Sequence, residues 1–106
     1  MIDTSASILT QISQAIRQAE PQAEIILFGS RARGDARPNS DWDVLVLLDG
    51  KVTPEREEVL FKLLYQIELA TEEVFSPLVY EKSYSQQALK GGPLYQNVNQ
   101  EGIVLV

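Results

Sequence analysis

The chain has 106 residues, 44% of them apolar, and a net charge of −6. That content supports one compact domain, 1–106, and the charge argues against an extended nucleic-acid footprint, which needs a basic face. There is no cysteine and no histidine, which excludes disulfides, thiolate nucleophiles, cysteine-ligated zinc, histidine triads and most zinc hydrolase sites, and leaves Asp, Glu, Lys, Tyr or backbone as bases and ligands.

Ile8, Leu9, Ile12, Ile16 and Ala19 recur at helical spacing, so residues 4–20 read as an amphipathic helix ended by Pro21. Strand one follows over Glu24 to Phe28. Gly29 permits a tight turn, and Ser30 is expected to cap a short helix through Gly34. Asp35 to Ser40 is turn chemistry throughout. Strand two runs from Asp41 to Leu48, and its continuous apolar part, Val44 to Leu48, suits burial on both faces.

Thr53-Pro54 is a helix start, with threonine as cap and proline at the first helical position. The helix runs to about Ala70, with Val59, Leu60, Leu63, Leu64 and Ile67 as its buried stripe. Glu58 and Lys62 form a favourable pair four apart. Strand three covers Glu73 to Tyr80. Pro77 inside it cannot donate to a ladder, which places the strand at an edge or at a bulge. A polar helix over Ser85 to Lys90, a helical segment over Leu94 to Asn99 and a last strand over Ile103 to Val106 complete the chain.

The connection between strands one and two is too short for a crossover helix, so these strands are expected to be antiparallel neighbours. The long helix between strands two and three suits a parallel crossover. The result is a small mixed sheet flanked by helices, in the α+β class. No apolar run reaches membrane-spanning length and no signal peptide opens the chain, so a cytoplasmic protein without membrane contact is expected.

This topology brings the end of strand one, Gly29-Ser30, to the start of strand two, Asp41-Trp42-Asp43. Residues two apart on a strand share a face, so Asp41 and Asp43 present two carboxylates side by side. Hard oxygen ligands in this arrangement suit Mg²⁺ or Mn²⁺, and Mg²⁺ sites usually share the ion with substrate phosphates. A glycine-serine turn opening a helix offers amides to a phosphate. Taken alone, each motif also fits a plain capped turn or a solvated strand end. Trp42, between the aspartates, should face the other way and pack. Arg31, Arg33 and Arg37 crowd the intervening loop; Arg31 and Arg33 are either phosphate or acceptor contacts or surface charge.

Together the motifs are more specific. Gly29-Ser30, ten residues, Asp41-x-Asp43 and a buried apolar strand resemble the signature of the nucleotidyltransferase superfamily that includes DNA polymerase beta. The run GSRARGDARPNSDWDVLVLL resembles the minimal nucleotidyltransferase (MNT) domains nearly position by position. Tyr95 to Leu105 looks like the ending of those domains. The resemblance implies the nucleotidyltransferase fold, with Gly29 and Ser30 holding the triphosphate of ATP. It implies Asp41 and Asp43 as catalytic metal ligands for Mg²⁺ or Mn²⁺, driving in-line attack on the α-phosphate with release of pyrophosphate. Many MNT domains are antitoxins paired with a HEPN-type toxin, and some transfer AMP onto that partner.

Active members carry a third carboxylate on strand three. Here Glu73 is the nearest candidate, and a one-residue slip would turn it to the other face. The leading expectation is therefore a nucleotidyltransferase that moves AMP from ATP to a hydroxyl of a partner protein, a HEPN-type toxin. An alternative is an inactive module that neutralises its partner by binding. A third reading, transfer to an aminoglycoside-type small molecule, requires a dimer or a separate chain to complete the acceptor pocket. A carboxylate on strand three aimed at Asp41 and Asp43 would favour the enzyme, and an apolar residue there the module.

Overall fold

The computed structural model describes residues 4–83 and 102–105. Its elements are α1 (Thr4–Ala19), β1 (Glu24–Phe28), α2 (Ser30–Arg33), β2 (Trp42–Leu48), α3 (Pro54–Thr71), β3 (Phe75–Glu81) and β4 (Ile103–Leu105). The four strands form one mixed sheet in the order β3-β2-β1-β4. β1 runs antiparallel to β2 and to β4, and β2 runs parallel to β3. The chain is thus α+β, with the strand directions that the connection lengths require. The segments expected to be helical near 85–90 and 94–99 lie outside the described residues.

One face of the sheet carries the main core. Ile8, Ile12 and Ile16 of α1 and Leu60, Leu64 and Ile67 of α3 pack on Ile25 and Leu27 of β1 and on Trp42, Val44, Val46 and Leu48 of β2. The opposite face carries a second cluster, in which Ile26, Phe28, Leu45 and Leu47 are buried beside Leu78 and Tyr80. Burial on both faces is why β1 and β2 read as continuous apolar runs rather than alternating ones. Leu63 is half-buried, but Val59, expected in the stripe of α3, is 48% exposed. It stands too far round the helix from Leu60, Leu64 and Ile67 to reach the sheet.

The ends of α3 are set locally. The Thr53 hydroxyl accepts from the Arg56 amide, and Pro54 occupies the first helical position. The Glu58–Lys62 pair forms at 2.9 Å. The last turn closes on Glu72, whose backbone is left-handed (φ 61) and whose amide bonds Glu68 O. This cap, carried by a residue other than glycine, delays β3 to Phe75, two residues later than the sequence suggests. Pro77 sits on β3 at the edge of the described sheet, where a missing amide is tolerated.

Longer ties fix the layers. Arg17 donates to Leu105 O at 2.6 Å and to the buried Ser13 hydroxyl, joining α1 to β4. Arg56 of α3 makes two bonds to the Glu20 carboxylate, at 2.6 and 2.9 Å, and donates to the carbonyls of Asp49 and Lys51. That guanidinium beside Glu20 holds its carboxyl below the usual range, chiefly through the hydrogen bonds.

Candidate functional site

The site forms where β1 ends and β2 begins. Phe28, the last residue of β1, is paired with Asp43, so the next residue, Gly29, lies against the Asp43 side chain. A β-carbon at Gly29 would stand 2.1 Å from Asp43 Oδ2. Gly29 also has φ 76 and ψ −160, a region that is nearly glycine-only. The turn therefore needs glycine twice over, once for its backbone and once for the carboxylate it touches.

Gly29, rather than Ser30, is the N-cap of α2, and Ser30 is the first helical residue. The Gly29 carbonyl accepts from the amides of Ala32 and Arg33. The opening amides of a helix lie outside its own ladder and are the groups that a phosphate can use. α2 is a single turn, so its own dipole contributes little and the glycine turn dominates.

Asp43 is half-buried and Asp41 is exposed. The register pairs Asp43 with Ser76 of β3, and the Ser76 hydroxyl donates to Asp41 Oδ2 at 2.9 Å. Asp41, Asp43 and Ser76 thus share one face, the face of Leu45 and Leu47 that points away from α1 and α3. Trp42 points to the opposite face and is 2% exposed, as strand alternation requires.

Two expected site residues sit elsewhere. Glu73, considered as a third metal ligand, precedes β3 and accepts from Trp42 Nε1 at 3.1 Å. It also faces Arg31 Nη2 at 3.5 Å. Its carboxylate is held on the tryptophan side of the sheet, two residues before Phe75, which shares that face. Arg31, expected near phosphate, turns the same way. Its guanidinium lies 4.5 Å from the Trp42 ring centroid and bonds the carbonyls of Ser40 and Pro38. Arg33 is exposed and pairs with Asp35 at 3.1 Å.

No group of three or more Asp or Glu residues that would hold a metal ion occurs among the described residues. The third position on this face is a hydroxyl, Ser76, which is neither a carboxylate nor an apolar residue. Sequence reading missed Ser76, because its place depends on the register of β3.

A family model described as a nucleotidyltransferase domain matches residues 9–90. This chain belongs to the nucleotidyltransferase domain family. The match spans the glycine turn, both aspartates and all of β3. A protein of Methanocaldococcus jannaschii named as a candidate protein adenylyltransferase is 37% identical over 59 residues, which are 56% of this chain and 60% of that protein. The chain thus aligns with less than two thirds of that relative's length.

Among solved structures, a toxin–antitoxin with AMP-PNP superposes with a TM-score of 0.67 at 23% identity, over 92% of this chain and 72% of that one. A mutant of the toxin–antitoxin MntA-HpeT, with two Asp-to-Glu substitutions, gives 0.67 at 21% identity over the same shares. A candidate nucleotidyltransferase of Sulfolobus solfataricus gives 0.57 at 15% identity over 98% and 87%. These neighbours share the nucleotidyltransferase fold.

The donor set on the Asp41 face fits a small, hard divalent ion. Two carboxylates share one face, and such ions are commonly held by one or two carboxylates together with substrate phosphates. No helix of the described residues is long and apolar enough to cross a membrane.

Proposed function

We propose that this protein transfers AMP from ATP to a hydroxyl of a partner protein, and that the partner is a HEPN-type toxin. The observation that carries the reading is the contact of Gly29 with Asp43, which sets a phosphate-suited turn beside the carboxylate pair. The turn at Gly29 and Ser30 would hold the triphosphate. Asp41 and Asp43 would hold Mg²⁺ or Mn²⁺. The ion would neutralise charge on the phosphates and on the attacking oxygen. The acceptor hydroxyl oxygen bonds the α-phosphorus and loses its proton to solvent, the bond from the α-phosphorus to the oxygen bridging to the β-phosphate breaks, and pyrophosphate leaves with that electron pair.

The chain's own contribution is placement. Asp43 is fixed against Gly29, and Asp41 is oriented by the Ser76 hydroxyl. Preset geometry of this kind supplies much of the barrier reduction in group transfer. The relative named as a candidate protein adenylyltransferase supports a protein acceptor, and the likeness to toxin–antitoxin structures supports the choice of partner.

A second reading has its own observation. With Ser76 in the third position and Glu73 turned to Trp42, the described residues give the site two carboxylates and no further base for the acceptor proton. A domain so equipped would neutralise its partner by contact. The variant Asp41→Asn with Asp43→Asn separates the two, assayed for rescue of cells that express the partner toxin. Loss of rescue, with binding to the toxin intact, is the result expected of transfer. Full rescue would establish contact alone.

A further inference from the structure

We infer that Arg31, Trp42 and Glu73 form a positioning triad that sets the Gly29-Ser30 turn and the Asp41/Asp43 pair in register from the reverse face of the sheet. The inference rests on the nucleotidyltransferase reading. Three pieces of chain meet at the site: α2, which follows the glycine turn; the loop that leads into β2; and the turn from α3 to β3. Arg31 touches all three. It stacks on Trp42 at 4.5 Å, bonds Ser40 O through Nε and Nη2 at 3.3 and 3.0 Å, and reaches Pro38 O at 3.2 Å. Nη2 faces Glu73 at 3.5 Å, with the two side chains only 14% and 22% exposed. Glu73 closes the loop by accepting from Trp42 Nε1 at 3.1 Å.

Two of the three members stand next to a site residue in the chain, and Glu73 joins them from the turn before β3. Arg31 follows Ser30 directly, and Trp42 separates Asp41 from Asp43. A rotation of the backbone at Trp42 would swing both carboxylates, since neighbours on a strand point to opposite faces. The triad thus links the turn to the aspartates from the face opposite to the one that carries Asp43 and Ser76. A planar guanidinium can stack and bond two carbonyls at once, whereas a lysine ammonium cannot. This accounts for an arginine in the glycine turn that points away from the phosphate side.

Register between the two halves has a measurable consequence. When the halves are aligned, a divalent ion held by the aspartates strengthens triphosphate binding at the turn, and the coupling is a ratio of two affinities. The test measures ATP binding calorimetrically, with and without Mn²⁺, for the wild type, Arg31→Lys, Glu73→Gln and the double variant, with folding followed by circular dichroism. Glutamine keeps an acceptor for Trp42 Nε1 and carries the test if Arg31→Lys fails to fold.

In the wild type, Mn²⁺ should tighten ATP about tenfold or more. In the variants, metal-free affinity should stay within about threefold of wild type, while the Mn²⁺ gain falls at least about fivefold. The double variant should be no worse than the poorer single one, because the members act as one unit. Variants that keep the gain would overturn the triad and leave a role in stability alone. So would a parallel loss of affinity with and without metal. A wild type with no Mn²⁺-dependent ATP binding would remove the nucleotidyltransferase reading itself, and the triad with it.

Discussion

Gly29 carries two constraints that reinforce each other. Its backbone occupies a region closed to other residues, and its missing side chain is the space filled by the Asp43 carboxylate. Gly29→Ala should therefore lower stability by about 1–3 kcal/mol, read by urea denaturation. It should also displace Asp43, so that metal-dependent ATP binding falls more than the stability loss accounts for. Unchanged binding would separate the turn from the carboxylates. The site residues differ in how far the sequence reveals them. Gly29, Asp41 and Asp43 are legible because their places follow from one short connection and from strand alternation. Arg31 and Glu73 are not, because an arginine in a glycine turn looks like an anion contact until the buried Trp42 ring is seen beneath it.

At the scale of elements, the register of β3 after α3 decides what stands beside Asp43. The stop of α3 at Glu72, in a left-handed conformation, is followed by β3 in a register that sets Ser76 rather than a carboxylate beside Asp43. No glycine marks this stop, so the sequence extends β3 back to Glu73. A left-handed conformation costs a side-chain-bearing residue about 1–2 kcal/mol, part of which glycine recovers against its larger entropy loss. Glu72→Gly should raise stability by about 0.5–1 kcal/mol without altering ATP binding. A drop in stability would mean that the Glu72 side chain holds the cap in another way. The antiparallel pairing of β1 with β2 and the parallel pairing of β2 with β3 were readable from connection lengths, and the edge position of β3 from Pro77. The exposure of Val59 was not, because the apolar stripe of α3 is wider than the face that meets the sheet.

At the scale of the whole molecule, the sheet separates two tasks. One face is covered by α1 and α3 and carries the main core. The other presents Asp41, Asp43 and Ser76 above a smaller cluster. The helical layer is tied together by Arg56 and Glu20. Glu20 is held below its usual range, chiefly by its hydrogen bonds from Arg56. Its stabilisation is therefore complete above the carboxylate range of the unfolded chain and is lost as pH falls through the lower folded value. Glu20→Gln should be less stable than wild type at pH 7, with the difference vanishing in acid, as thermal melts across pH would show. An equal deficit at every pH would assign the effect to packing.

The central claim is that the glycine turn and the two aspartates form one nucleotidyl-transfer site. The measurement that tests it most directly is label transfer from α-labelled ATP, with Mg²⁺, into a lysate of the source cell, the wild type run beside the Asp41→Asn, Asp43→Asn variant. The account predicts a labelled protein band that requires both aspartates, with a rate loss in the variant of at least about 100-fold. A band of equal strength in the variant would contradict it, and so would no band from a wild type that binds ATP and Mg²⁺.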